Sequence, residues 1–207
     1  MIEIWGRTNS VNVQKVLWCL DEIGLPYERI DAGLQFGKNN EPWYLALNPN
    51  GRIPLLQDGE FSLWESNTIV RYLSSKYDPG GLYAESPETR ALAERWMDWQ
   101  LSTLLAPVST VFWTLIRTPA AERDMSAVTR ATAEANRVTA MLDRELARQP
   151  YVAGERFSMG DIPVGAVIYR WLAIPGIERP ELPALKGWQE RLAARPAFRR
   201  HVMLPLS

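Results

Sequence analysis

Cysteine and histidine are scarce in this sequence, which has one of each, Cys19 and His201, among 207 residues. A single cysteine excludes a disulfide within the chain. The two residues together cannot provide the four cysteine or histidine ligands of a structural zinc site, so we expect no metal. His201 follows Pro196 near the end of the sequence, and a Ser-His-Asp hydrolase would have to reach it there. Metal, disulfide and triad chemistry are therefore disfavoured.

The sequence also lacks an excess of charge of either sign. It has 23 Lys and Arg against 24 Asp and Glu, and its formal net charge is -1. Such a balance produces no field that would attract nucleic acid or an anionic membrane. Neither a Gly-Lys-Ser/Thr phosphate-binding motif nor a Gly-x-Gly-x-x-Gly motif occurs. We therefore expect no nucleic-acid partner and no nucleotide cofactor.

Long hydrophobic runs are absent as well. The longest uninterrupted apolar run, residues 162–169, has eight residues, whereas a membrane-spanning helix needs roughly 20. Residues 1–5 lack the basic and apolar regions of a signal peptide. From these absences we expect a cytoplasmic protein that does not cross a membrane.

The first half of the sequence predicts strands and helices in alternation. Ile2 and Ile4 alternate as in a short strand, and residues 27–30 begin a second strand. Between them, spacings of three and four predict a helix with one apolar face, formed by Val13, Val16, Leu17, Leu20 and Ile23. A strand-helix-strand unit this short favours a right-handed crossover with parallel strands.

A hairpin and a further helix follow an irregular stretch around Pro42. The Asp-Gly pair at residues 58–59 is typical of a tight hairpin turn, so residues 53–57 and 60–63 are the predicted strands. A helix is predicted over residues 65–77, before a Pro-Gly-Gly break.

From Pro87 onward the spacing is helical, and no convincing strand is found. Helices are predicted over residues 128–146 and 158–172. The second begins with Ser158 as a helix cap and Asp161 three residues later, a pattern that stabilises a helix start. The predicted organisation is an α/β domain at residues 1–78, a linker at 79–87 and an all-helical domain at 88–207.

Three segments resemble motifs of the glutathione transferase family, the first of them especially those of the phi class. They are SVNVQKVLWCLDE at residues 10–22, NPNGRIP at 48–54 and WESNTI at 64–69. The helix cap at Ser158 is similar to the one in the family's helical domain. One position departs from the pattern, because Arg52 replaces the glutamine common in the phi class. The resemblance covers residues 2 to about 172. It implies a thioredoxin-like N-terminal domain followed by an all-α C-terminal domain.

The resemblance also implies a catalytic role for Ser10, as hydrogen-bond donor to the sulfur of bound glutathione. A hydroxyl at a helix start, beside unpaired N–H groups, suits a thiolate, because such donors lower the pKa of a thiol from about 8.5. The residues alone are equally consistent with Ser10 as an ordinary helix cap. Asn12 is either a second donor to the same sulfur or an ordinary first-turn residue. Thr8 is an alternative hydroxyl.

Two further pairs are assigned to glutathione by the resemblance. Ile53, before a cis Pro54, would pair its backbone with the cysteinyl part of the peptide, whereas a trans proline at a strand start is the alternative. Ser66 would bind the γ-glutamyl carboxylate and Glu65 the ammonium. The same two residues would also satisfy an ordinary helix start.

The remaining assignments have weaker signals. Lys38, with Asn39 and Asn40, would reach the glycyl carboxylate, or the lysine is a solvated surface residue. The second substrate has no motif, and its hydrophobic pocket is predicted from one helical stretch, with candidates Leu104, Val108, Val111, Phe112 and Trp113.

The leading hypothesis is a cytoplasmic, homodimeric glutathione transferase of detoxification, with glutathione as co-substrate and no cofactor. Its thiolate would attack a small hydrophobic electrophile. One alternative is a glutathione-dependent reductase of disulfides or peroxides. The other is a non-catalytic interaction module that reuses the fold.

Overall fold

The N-terminal half is built on a four-stranded sheet. The structure is a computed structural model that describes residues 1–207. The strands are β1 (Ile2–Trp5), β2 (Tyr27–Ile30), β3 (Leu55–Asp58) and β4 (Phe61–Trp64), in the order β2-β1-β3-β4. β1 runs parallel to β2, with Ile4 opposite Arg29, and antiparallel to β3, with Ile4 opposite Leu56. The predicted parallel pairing of β1 with β2 and the predicted hairpin are both confirmed.

The hairpin begins two residues later than its apolar pattern predicts. The Ile53-Pro54 peptide bond is cis, as predicted, and β3 starts after it, at Leu55. Gly59 in the turn has φ +63, a left-handed conformation that glycine adopts without steric cost.

A short helix, α2 (Pro42–Leu47), lies where an irregular stretch was predicted, so that prediction was wrong. Pro42 occupies its first turn, where a missing N–H costs nothing. Tyr44 is buried and its hydroxyl donates to the carbonyl of Arg52 at 2.8 Å. Asn48 donates to the same carbonyl at 2.6 Å. These two bonds fix the segment that leads into Pro54.

Helix α1 (Val11–Glu22) is buried on more than the one predicted face, since nine of its twelve residues are buried. It packs on α3 (Ser66–Tyr77) on one side, and on α7 (Asp161–Ala173) and α9 (Pro196–His201) on the other. The indole of Trp18 is fully buried and donates to Glu22 at 2.8 Å. α1 is therefore the central element between the two halves of the chain.

The C-terminal half contains helices and no strand, so the predicted fold class is confirmed. Its other helices are α4 (Pro87–Trp99), α5 (Leu105–Phe112), α6 (Met125–Leu146) and α8 (Pro183–Ala193). Two π-helical segments, Gln100–Leu104 and Trp113–Arg117, flank α5. α3 ends at Tyr77 and α4 begins at Pro87, while the domain limits 1–78, 79–87 and 88–207 stay a prediction.

The helical segment Pro87–Arg117 is long and apolar enough, by length and composition alone, to cross a membrane. Residues 99–116 contain no charged side chain, but scattered polar residues interrupt the apolar runs. A criterion based on uninterrupted runs therefore misses this segment. In the fold, α5 packs against α6 and α7, with Val108 and Val111 fully buried.

Helix α7 begins at Asp161 with Gly160 at the cap position, and not with Ser158 as predicted. The fully buried Asp161 carboxylate accepts hydrogen bonds from the backbone N–H and hydroxyl of Ser158, from the N–H of Val152 and from the indole of Trp188. Burial raises the pKa of Asp161 to about 6, against the lowering effect of these donors. The carboxylate thus joins three segments of the helical half.

Candidate functional site

A cavity of about 510 Å³ lies between the two halves of the chain. The loop after β1, the start of α1 and the segment before Pro54 form one wall, and α5, the π-helical segment after it and α7 form the other. Its lining residues are Arg7, Ser10, Val11, Asn12, Gly33, Leu34, Asn39, Gly51, Arg52, Ile53, Leu105, Ser109, Phe112, Trp113, Arg117 and Arg170.

Ser10 occupies the cap position of α1 and lines this cavity. Its backbone is extended, with φ -86 and ψ 120, and 9% of the residue is exposed. Its hydroxyl makes no capping hydrogen bond to the first turn of the helix. The capping role that the sequence left open is therefore not realised, and the hydroxyl is available to a bound molecule.

Asn12 also lines the cavity, and a buried lysine fixes its amide. The Nζ of Lys15 donates to Asn12 Oδ1 at 3.0 Å, to Gln100 Oε1 at 3.0 Å and to Asn67 Oδ1 at 3.2 Å, and it lies 3.5 Å from Ser66 Oγ. Because its oxygen is engaged, the NH₂ group of Asn12 is the part left to donate to a ligand. Lys15 has no exposed surface, and burial lowers its pKa to about 7.

Lys15, which contacts Asn12 behind the cavity, is one of the residues that the sequence analysis missed. It stands within the motif at residues 10–22, but a lysine in a helix is usually solvated. Its ammonium lies among oxygens from α1, α3 and the π-helical segment before α5. It therefore connects the turn at Ser10 with the start of α3.

The predicted γ-glutamyl pair lies at that start of α3, outside the cavity lining. Ser66 is 3% exposed and reaches the cavity residues only through Lys15. Glu65 is exposed and has φ 71, a left-handed conformation that is unusual for a residue with a side chain. Its side chain makes no capping bond to α3.

Three other candidates do not line the cavity. Thr8 is exposed, and its carbonyl accepts from Gln14. The Nζ of Lys38 lies 5.3 Å from the ring centroid of Trp5, and Asn40 is exposed. Asn39, which was named with them, does line the cavity. On the same side, Ile53 lines the cavity and Pro54 is buried behind it.

The second-substrate candidates divide by helix face. Leu104, Val108 and Val111 are buried in the core and do not line the cavity. Phe112 and Trp113 do line it, together with residues that were not predicted, Leu105 and Ser109. Leu104, Val108 and Val111 are spaced by four and three residues, so they share one face of the helix, and that face is turned to the core. The cavity face is the adjacent one.

The most prominent charged feature of the cavity was not predicted. Arg7, Arg52, Arg117 and Arg170 line it, and no acidic residue does. Burial lowers the pKa of Arg170 to about 10, and the positive charges of Arg117 and Arg7 add to the effect. These residues are up to 163 positions apart in the sequence, so no local motif reveals them.

Two further kinds of group bear on the chemistry, metal ligands and thiols. No cluster of three or more His, Cys, Asp or Glu that would hold a metal ion occurs. Cys19 is buried, and burial raises the pKa of its thiol to about 12. The expectation that no metal or cofactor is required stays a prediction.

The comparisons with known proteins give the family directly. Residues 2–75 match the model "Glutathione S-transferase, N-terminal domain", and residues 104–196 match "Glutathione S-transferase, C-terminal domain". The chain is 45% identical to glutathione S-transferase GstB of Escherichia coli K12, over all of both chains. It is 32% identical to glutathione S-transferase 3 of Zea mays, with 97% of this chain and 93% of that one covered.

Comparison with solved structures gives the same family. A theta class glutathione S-transferase from the citrus canker pathogen Xanthomonas axonopodis pv. citri, solved with glutathione bound, is 52% identical and superposes with a TM-score of 0.96. The match covers 100% of this chain and 99% of that one. The resemblance inferred from the three sequence motifs is thus confirmed over the whole length, and the chain belongs to the glutathione S-transferase family.

Proposed function

We propose that this chain is a glutathione transferase that activates glutathione as a thiolate at Ser10. The observation that carries the proposal is the unengaged hydroxyl at the start of α1, which faces a cavity with four arginines and no acid. A neutral thiol would gain little there, whereas a thiolate gains a hydrogen bond, a helix N-terminus and positive charge.

In the proposed reaction Ser10 donates its proton in a hydrogen bond to the sulfur without losing it. The thiol proton leaves to solvent. The sulfur then attacks the electrophilic carbon, a carbon–sulfur bond forms, and the leaving group departs with its electron pair. Each unit by which the thiol pKa falls corresponds to about 1.4 kcal/mol in favour of the thiolate.

The rest of glutathione is proposed to lie along the N-terminal half. The backbone of Ile53, before the cis peptide bond, would pair with the cysteinyl residue. The γ-glutamyl group would lie at the start of α3, with Ser66 on its carboxylate and Glu65 on its ammonium. The relative from Xanthomonas was solved with glutathione bound, which supports glutathione as the ligand of this chain.

The test is the ultraviolet difference spectrum of bound glutathione as a function of pH, for the wild type and for Ser10→Ala. We expect a thiolate band well below the pKa of a free thiol in the wild type. In Ser10→Ala we expect a higher midpoint and a kcat/KM reduced about 10- to 100-fold, the range for one hydrogen bond to a charged group. Ser109→Ala is the matched control, because this serine lines the same cavity from the opposite wall.

Other outcomes have definite meanings. A band that survives in Ser10→Ala would assign the donor role to Asn12 or Thr8. If neither protein gives a band, glutathione is not activated, and the interaction module becomes the better explanation. Turnover of a glutathione mixed disulfide that exceeds conjugation of an aryl halide would favour the reductase.

A two-fold dimer, a cytoplasmic location and a role in detoxification are also proposed, since they accompany this activity. Exposed apolar side chains support the dimer, because Phe61 on β4 and Leu92 on α4 are 46% and 40% exposed. Light scattering of the purified protein after size-exclusion chromatography distinguishes a dimer from a monomer of 23.6 kDa.

A further inference from the structure

Three of the cavity arginines are close enough to repel one another. Arg117 lowers the pKa of Arg7, and both Arg117 and Arg7 lower that of Arg170, in addition to the effect of burial on each. None of the three forms an ion pair with an acidic side chain. Holding like charges together in a partly buried cavity is unfavourable unless an anion binds there.

Their hydrogen-bonding capacity is also incompletely used. The Nε atoms of Arg7 and Arg170 are buried and have no partner. Arg170 makes one bond, from a terminal nitrogen to the carbonyl of Asn9 at 3.1 Å. Arg117 donates to a main-chain oxygen of Ser207 at 2.7 and 3.2 Å. Even as a terminal carboxylate, that group would offset only one of the three charges.

Aromatic rings hold two of the guanidinium groups in place. The guanidinium of Arg170 lies 4.2 Å from the ring centroid of Phe112, and that of Arg117 lies 4.4 Å from the centroid of Trp113. Stacking of this kind orients a guanidinium and leaves the N–H groups at its edge free for an acceptor. The same rings, with Leu105, form an apolar surface beside the charges.

We propose that the second substrate of this transferase is an electrophile with an apolar body and a carboxylate, which Arg7, Arg117 and Arg170 bind beside Phe112 and Trp113. This inference rests on the proposed function and narrows its substrate class. A planar carboxylate matches the paired N–H groups of a guanidinium, and an aromatic body matches the rings.

The reaction remains the one already described. For a chloronitrobenzoate, the glutathione sulfur attacks the carbon that bears chlorine, the carbon–sulfur bond forms, and chloride leaves with the electron pair of its bond. The thiol proton goes to solvent. The substrate carboxylate takes no part in bond making and serves only for binding.

The experiment compares two electrophiles of nearly the same shape, the anionic 4-chloro-3-nitrobenzoate and the neutral 4-chloro-3-nitrobenzamide, at saturating glutathione. Each kcat/KM is divided by the uncatalysed rate constant of the same compound. We expect the benzoate to be preferred about 10- to 100-fold, the range for hydrogen bonds between charged groups. The preference should fall as salt is added. In Arg170→Met or Arg117→Met the ratio should approach one.

Arg95→Met is the matched control, because it removes the same charge from an exposed position on α4, away from the cavity. Calorimetry of glutathione binding separates the two proposals. If an arginine variant loses affinity for glutathione and kcat/KM falls equally for both electrophiles, the arginines bind glutathione and the inference is wrong. The proposed transferase activity would not be affected by that result.

A second measurement does not depend on turnover. Unreactive 3-nitrobenzoate or 3-nitrobenzamide is added to the protein, and binding is measured as the change in tryptophan fluorescence. Trp113 is suited to report it, since it lines the cavity and is 49% exposed. Tighter binding of the benzoate, lost in Arg117→Met, supports the anion site even if neither chlorinated compound reacts. Equal binding of the two compounds would overturn it.

Discussion

Replacement of Lys15 by methionine should change how the stability of the protein depends on pH. The side chain is fully buried, and its Nζ lies among four oxygens from three segments of the chain. Methionine has a similar length but no charge. The wild type should therefore carry a titration within the physiological range that Lys15→Met lacks.

The size of the effect follows from the pKa of Lys15, which burial lowers to about 7 in the folded protein, against about 10.4 in the unfolded chain. Above pH 7 the folded state binds fewer protons than the unfolded state, so stability rises with pH. Between pH 6 and 8 the folded lysine goes from about nine-tenths to about one-tenth charged, and the unfolded lysine stays charged. The free energy of unfolding should rise by about 1.4 kcal/mol across this interval.

Urea denaturation at several pH values, for both proteins, measures this quantity. Other groups that titrate in the same range, Asp161 among them, are common to both proteins and cancel in the difference between them. Lys186→Met, at an exposed position on α8, is the control and should give no such difference. The reasoning would be refuted if the difference in free energy of unfolding between the wild type and Lys15→Met stayed constant from pH 6 to 8. The surrounding oxygens would then hold the proton on Lys15 in spite of burial.

Two further predictions concern groups outside the cavity. Asp161→Ala should lower the free energy of unfolding by about 3–5 kcal/mol, because it leaves the buried donors of Trp188 and Val152 without an acceptor. Asp124→Ala, which removes an exposed helix cap, should have a much smaller effect in the same urea titration. Cys19 should not react with a disulfide reagent at pH 8 until the protein unfolds, since burial raises its pKa to about 12; rapid labelling of the native protein would contradict its placement.

The architecture could be predicted because it is encoded locally. Apolar spacing gave β1, α1 and β2, and one Asp-Gly pair gave the hairpin. The short helix α2 was missed, because six residues flanked by asparagine and proline carry too little periodicity. α7 was predicted to begin at Ser158, because the sequence shows a capping pattern there. The sequence does not show that the carboxylate of Asp161 also accepts from Val152, and the helix begins at Asp161.

The cavity lining could be predicted where a motif is contiguous and also, at Phe112 and Trp113, from one helical stretch. Ser10, Asn12 and Ile53 stand in such motifs and line the cavity. The arginine cluster depends on tertiary contacts between a loop, a π-helical segment and α7, and no spacing rule relates residues 7, 117 and 170. Lys15 was overlooked for a related reason, because its burial depends on Gln100, which belongs to the other half of the chain.

The burial of α1 on both sides limits how this protein can be divided or recombined. Its outer face packs Trp18 against the rings of Phe157 and Phe198, and Glu22 receives two hydrogen bonds from Arg195. A thioredoxin-like half expressed alone would expose Trp18, and it would remove Arg195 from Glu22 and Gln100 from Lys15. A chimera with a foreign helical half should therefore fold only if that half provides equivalents of these contacts. The two halves are separate in architecture but share one hydrophobic core.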